Sequence, residues 1–188
     1  LIEHKSKASI SPVFYSKVNF KPISYDHTSI FRKSLYWVLN GSLKFKSGII
    51  TLSGIGFVFD SQCHKIRCNE VEWLPGGCVL HRRKNLVLEN YFPFKGKAYC
   101  EDLIHSFILR RSGVQLYVDE DIIAYIDYAY IKPSLTELNR EYTAAKYHAL
   151  LMERNLTRLR IYYCIHFVNF MFCKIRGMLI SVMKLFKK

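Results

Sequence analysis

The sequence predicts a mixed α/β domain followed by a basic helical tail, on three observations. The middle of the chain alternates short β-branched or aromatic runs with helical periodicity. From residue 134 onward the pattern is helical to the end, with no proline and a single glycine. Charge separates along the same line: residues 1–60 carry a net +5, residues 61–140 a net +1, and residues 141–188 a net +7 of the total +13. Half of the 188 residues are apolar and 15% are aromatic. A buried core is therefore affordable and disorder is excluded as the general state. Two regions are expected, residues 1–130 as the α/β part and residues 131–188 as the helical, membrane-associated part.

Taken in order, residues 1–30 read as irregular, because Pro12 and Pro22 interrupt any long element. A helix is expected over 30–39, stopped by Asn40-Gly41. Residues 49–59 are rich in β-branched and aromatic side chains, with Gly54 and Gly56 inside, and predict one or two short strands with a bulge. Residues 61–69 read as a polar loop. Residues 70–80 predict strand, a Pro75-Gly76-Gly77 turn and strand, and residues 82–88 a short helix. Residues 101–111 are a clear helix, opened by Glu101-Asp102 at the positive end of its dipole and closed by Arg110, Arg111 and Gly113. A strand at 114–118, a turn at Asp119-Glu120-Asp121 and a strand at 122–126 follow. Ser134 with Glu137 has the spacing of a capping box.

Three pieces carry chemistry. Trp73 precedes a bend of bare backbone at Gly76 and Gly77, which places an aromatic plate where a ligand can approach closely. Sugar rings have apolar faces that suit such a plate, but an ordinary core Trp beside a turn has the same pattern. Glu101-Asp102 sets two carboxylates at a helix start. One of them can take a proton from an attacking hydroxyl, or both can serve only the helix dipole. Tyr91-Phe92-Pro93-Phe94 leads into that helix.

In this order the pieces resemble family 2 glycosyltransferases. The run Trp73-Leu74-Pro75-Gly76-Gly77-Cys78-Val79-Leu80-His81-Arg82-Arg83 is similar to that family's Trp, two residues, Gly-Gly and an apolar strand ending in Arg. The 91–94 stretch is similar to its loop before a Glu-Asp helix. Leu109-Arg110-Arg111-Ser112-Gly113-Val114-Gln115-Leu116 resembles the helix end, glycine and strand that follow. The likeness is dense from about residue 48 to 127.

The resemblance implies part of a GT-A-like mixed sheet with flanking helices and an inverting transfer from a nucleotide-sugar donor to a glycan or lipid-linked acceptor. It also implies a divalent metal, Mg or Mn, at the leaving diphosphate. Carried over by position, Asp102 is the candidate general base and Glu101 its neighbour. Trp73, Gly76 and Gly77 line the sugar and acceptor site, and Arg110 can hold diphosphate charge or simply match the helix end. The family's nucleotide-binding half and acidic metal motif are not visible, and residues 1–11 resemble the chain just after that motif. The expectation is thus an acceptor-side fragment without the main metal ligands, inactive alone, from an enzyme of cell-surface polysaccharide synthesis. Asp127 stands near where many members place a His, and an acid there repels a diphosphate.

Other sites were weighed against these. Cys63, His64, Cys68, Cys78 and His81 approach zinc-loop spacing but lack a paired Cys-x-x-Cys, so small apolar cysteines are the expectation. The six cysteines form no disulfide framework, which points to a reducing cytosol. Residues 161–173 contain no Lys, Arg, Asp or Glu but are too few to span a bilayer. On a helix, Val168, Met171, Ile175, Met178 and Val182 share a stripe, and no acid follows Glu153. A helix lying on an anionic membrane surface is expected, placing the protein peripherally at the cytoplasmic face. A non-catalytic module binding the membrane through its basic ends is the alternative to an enzyme. Nucleic acid is not an expected partner, because the aromatics sit in apolar strand and helix patterns rather than on exposed platforms.

Overall fold

The computed structural model describes residues 7–23, 29–60, 68–127 and 134–185, with side chains to residue 176. The described residues form a mixed α/β protein with a four-stranded sheet and four helices. The strands are β1 (Ala8–Ser16), β2 (Cys68–Val71), β3 (Leu80–His81) and β4 (Gln115–Ile126), in spatial order β2-β4-β1-β3. β1 and β4 run parallel in the centre, and the two short edge strands pair antiparallel.

β1 corrects the expectation of an irregular start. Residues 8–14 are all buried, as befits a central strand covered on both faces. Pro12 survives there because the ladder skips beside it: Pro12 pairs with Asp119 and Val13 with Ile123, so Glu120, Asp121 and Ile122 bulge out of β4. The same bulge corrects the expected strand-turn-strand at 114–126, which is one strand. Edge strands β2 and β3 flank the Pro-Gly-Gly turn as anticipated, β2 beginning at Cys68 where a loop was expected. The expected helix at 82–88 shrinks to a single 3-10 turn at Arg83–Asn85.

Residues 49–59 are also corrected. They make one isolated bridge, Ile50 to Gly56, and no strand. The Thr51 hydroxyl lies 2.9 Å from the Ile55 carbonyl and 3.2 Å from its N–H, closing a local turn in place of a ladder. Helix α1 (Ile30–Asn40) forms as expected, capped by Ser29 and ended by Gly41 at φ 71°. It buries Leu35, Tyr36 and Leu39, with Tyr36 packed on Phe45 and Phe57.

Helix α2 (Glu101–Arg111) lies against the sheet, Leu109 joining Val13, Val71, Leu74, Leu116 and Val118 in the main core. α3 (Leu135–Leu151) starts with both bonds of the capping box, at 3.1 and 2.8 Å. The continuous helix expected after it is broken: Glu153 turns left-handed at φ 54°, and the Asn155 side chain caps α4 (Leu156–Leu185) by accepting from the Arg158 N–H at 3.1 Å. α3 and α4 form a second core of Leu138, Ala145, Ala149, Leu159 and Tyr163.

The 51–55 turn docks directly on α3. A Cβ on Gly54 (φ 89°) would stand 3.2 Å from the Ala149 backbone, so only glycine allows this approach. The Gly54 carbonyl accepts from His148 Nδ1 at 3.0 Å, which places the proton of the neutral imidazole on Nδ1. His148 is fully buried, and burial pushes its pKa down to about 4; the Gly54 bond opposes this and the Arg154 charge adds to it. Because the folded pKa is depressed, the stability is complete above the unfolded value of about 6.5 and is lost as pH falls toward 4. The expected loss is on the order of 3 kcal/mol. Denaturant titrations across that window should show it, and His148→Gln should flatten the pH dependence; an unchanged slope in the variant would refute the assignment.

Candidate active site at the start of α2

The bend at residues 73–78 is tied down from three sides. Trp73 Nε1–H donates to the Phe57 carbonyl at 2.9 Å, and its ring edge packs on Gly56, where a Cβ would stand 2.7 Å from Trp73 Cε2. The Leu74 N–H donates to the buried Ser106 hydroxyl of α2 at 3.0 Å. The buried Ser11 hydroxyl of β1 lies 3.2 Å from the Cys78 carbonyl. Between these anchors Gly76 and Gly77 are exposed.

Helix α2 brings its two acids to this bend. Its N-cap, Cys100, is left-handed at φ 57° and makes no side-chain cap bond, so Glu101 and Asp102 are what the positive helix end meets. A Cβ on Gly76 would overlap the Asp102 carboxylate. The bare position and the acid therefore occupy one small space, half-buried on the Asp102 side and exposed on the glycine side.

Around the acids stands a set of titratable groups that the sequence did not mark as a cluster. The Tyr91 hydroxyl donates to Glu101 Oε1 at 3.4 Å, and its ring stacks on His105 at 5.5 Å. His105 lies 5.4 Å from His81, whose Nδ1 is 2.8 Å from the fully buried Ser9 hydroxyl. Burial lowers the pKa of both imidazoles; the His105 charge lowers His81 further, while Glu101 and Asp102 oppose the shift at His105. Burial and then Glu101 push Tyr91 up to about 12, so it stays a donor at neutral pH. His105 was findable from its spacing of three from Asp102 on one helix. Ser9 gave no signal.

The expected site residues divide. Asp102 and Gly76 come together, and Glu101, next to Asp102 in the chain, meets Tyr91. Gly77 faces Phe14, 3.5 Å from a built Cβ. Trp73 is half-buried and its N–H is already spent on Phe57. Arg110 does not join them: it is eight residues on, about 12 Å along the helix. There it lines a separate groove of about 540 Å³ with Glu70, Glu72 and Gly113. A second groove of about 450 Å³ lies between α2 and α3, lined by Tyr91, Phe107, Arg111 and Tyr147. Trp73, Gly76, Gly77, Glu101 and Asp102 line neither groove.

Asp127 is exposed just beyond β4. Among the described residues no group of three or more His, Cys, Asp or Glu is placed to hold a metal. Cys63 and His64 of the weighed zinc reading lie outside the described residues, as do the side chains of Met178 and Val182; Val168, Met171 and Ile175 are exposed on α4. Cys100 is no nucleophile, because burial, then the Glu141 and Asp102 charges, push its thiol up to about 12.

The chain matches no protein-family model, no curated protein and no solved structure. The class is therefore set by the coordinates alone, a four-stranded mixed sheet with an acidic helix start facing a glycine bend.

Trp73→Phe keeps an aromatic side chain but deletes the donor and the indole edge at Gly56. It should cost about 1–3 kcal/mol in denaturant unfolding by removing the bond to the Phe57 carbonyl and the ring edge against Gly56. A variant as stable as the parent would show that this bond does not hold the bend.

Proposed function

We propose that the chain is the acceptor-side part of an inverting, nucleotide-sugar-dependent glycosyltransferase of GT-A type, similar to family 2 and serving cell-surface polysaccharide synthesis. One observation carries the reading: a carboxylate in the first turn of α2 lies against exposed backbone with no side chain between them. In the reaction Asp102 accepts the proton of an acceptor hydroxyl on a glycan or lipid-linked sugar. The freed oxygen attacks the anomeric carbon from the face opposite the diphosphate, the bond to the diphosphate oxygen breaks, and the nucleoside diphosphate leaves with the electron pair. Glu101, held by Tyr91, orients the acceptor side. The neutral imidazole of His105, one turn along α2, does not compete as a cation for Asp102.

The reading implies Mg or Mn at the diphosphate. The described residues offer no ligand set for it.

The Trp73 bond and the two grooves favour a second reading, a non-catalytic module in which the acids only balance the helix dipole.

Expressed from its native coding region and supplied with nucleotide sugars, the protein should release nucleoside diphosphate in an acceptor-dependent way. Asp102→Asn should lower turnover about a hundredfold or more, with the unfolding midpoint unchanged. Gly76→Ala should lower turnover too, by displacing the carboxylate. Normal turnover in Asp102→Asn would end the base assignment, and no transfer from any donor would favour the second reading.

A further inference from the structure

Two helices leave large apolar side chains uncovered. On α1 these are Ile30 (84% exposed), Phe31 and Trp37; on α4 they are Val168, Phe172 (65%) and Ile175. The sequence marked an apolar membrane-facing stripe on α4 alone, and the structure joins α1 to it. Arg158 of α4 donates from Nη1 to the Trp37 and Val38 carbonyls at 3.1 and 3.0 Å, its guanidinium 5.8 Å from the Trp37 ring centre. At the other end of α1 the Arg32 charge acts on His166, so the helices run antiparallel. On a helical wheel Val168, Phe172 and Ile175 fall on one side of Arg158, and the buried Leu159 and Tyr163 on the other.

The charges around this surface have one sign. α1 contains Arg32 and Lys33 and no acid; α4 contains no acid, Arg176 is exposed beside the apolar stripe and Lys174 is exposed elsewhere on the same turn. A second copy of the chain would bring cations against cations. No described helix is long and apolar enough to cross a membrane. Exposed tryptophan and phenylalanine flanked by Arg and Lys match the headgroup boundary of an anionic bilayer.

We infer that α1 and the outer half of α4 form one docking surface for an anionic lipid bilayer, with both helices lying in the interface and Trp37 at headgroup depth. The inference stands apart from the transfer reaction, since its test contains no sugar nucleotide.

The chain has two tryptophans, and Trp73 is held by Phe57, so Trp37 reports the surface. The full chain is mixed with phosphatidylcholine vesicles, with and without phosphatidylglycerol, some carrying brominated tails. With phosphatidylglycerol the emission should shift to the blue, bromine should quench it, and high salt should release the protein. Trp37→Phe should abolish the quenching and still sediment with vesicles. The double variant Ile30→Ser, Phe31→Ser, both exposed and so compatible with the fold, should bind about tenfold or more weakly. Replacing Arg32 and Lys33 by Gln should weaken binding about fivefold per charge. Sedimentation with Trp37 unquenched would remove α1 from the surface. Equal binding to both vesicle types, no binding, or a dimer in light scattering that shields Trp37 would overturn the proposal.

Discussion

The bend at residues 73–78 depends on polar groups buried in places that normally hold apolar ones. Ser9 and Ser11 sit in the central strand with no exposed surface, and Ser106 is buried on the sheet-facing side of α2. A hydroxyl in such a place costs about 1–3 kcal/mol if it finds no partner. Each finds one in the same segment: His81 for Ser9, the Cys78 carbonyl for Ser11 and the Leu74 N–H for Ser106. Ser9 and Ser106 thus tie the two ends of the segment, while the Ser11 hydroxyl is shared between the Cys78 and Pro12 carbonyls, each at 3.2 Å. Because the Leu74 bond comes from α2 itself, the bend and the Glu101-Asp102 turn are registered to each other and not only to the sheet.

The other support of that turn is the helical layer. Cys100 holds the left-handed conformation that opens α2, and it packs into the α3–α4 core beside Tyr142 and Tyr163. Glu141 lies in the same region, its carboxyl raised mainly by burial and accepting from the Tyr163 hydroxyl at 3.1 Å. α4 therefore supports the acidic turn with its inner face through residues up to Tyr163, while every described side chain from 171 to 176 is exposed. If the outer half docks on lipid, the orientation of the Asp102 carboxylate relative to the bilayer follows from the rigidity of one helix.

The sequence was legible wherever local rules decide the structure. α2 has its expected bounds, Asn40-Gly41 ends α1, and the Ser134–Glu137 capping box forms. It failed where a distant partner changed the local rule. Pro12 is a strand breaker by itself, yet it is tolerated where β4 bulges a hundred residues away. The β-branched run at 49–59 looks like strand, but Thr51 closes a turn and Gly54 is pulled under α3. The acidic triplet 119–121 resembles a turn, but Asp119 stays in the ladder and Glu120 and Asp121 belong to the bulge. The site followed the same division. Asp102 and Gly76 were marked from a pattern and meet in space, whereas the Ser9–His81–His105–Tyr91 set draws on four separate segments that no linear spacing connects.

The decisive ambiguity at Asp102 is between balancing a dipole and accepting a proton, and the two roles make different demands. A helix dipole is served by a carboxylate anywhere in the first turn, in any rotamer, and Glu101 already supplies one. It requires nothing of residue 76. Proton transfer requires a carboxylate kept in one place, with an open path for a hydroxyl to reach it. Gly76 meets the second condition: a side chain there would displace the carboxylate and close the path. The overlap of Asp102 with an absent Cβ is what the proposed proton transfer would use, and a helix dipole does not require it.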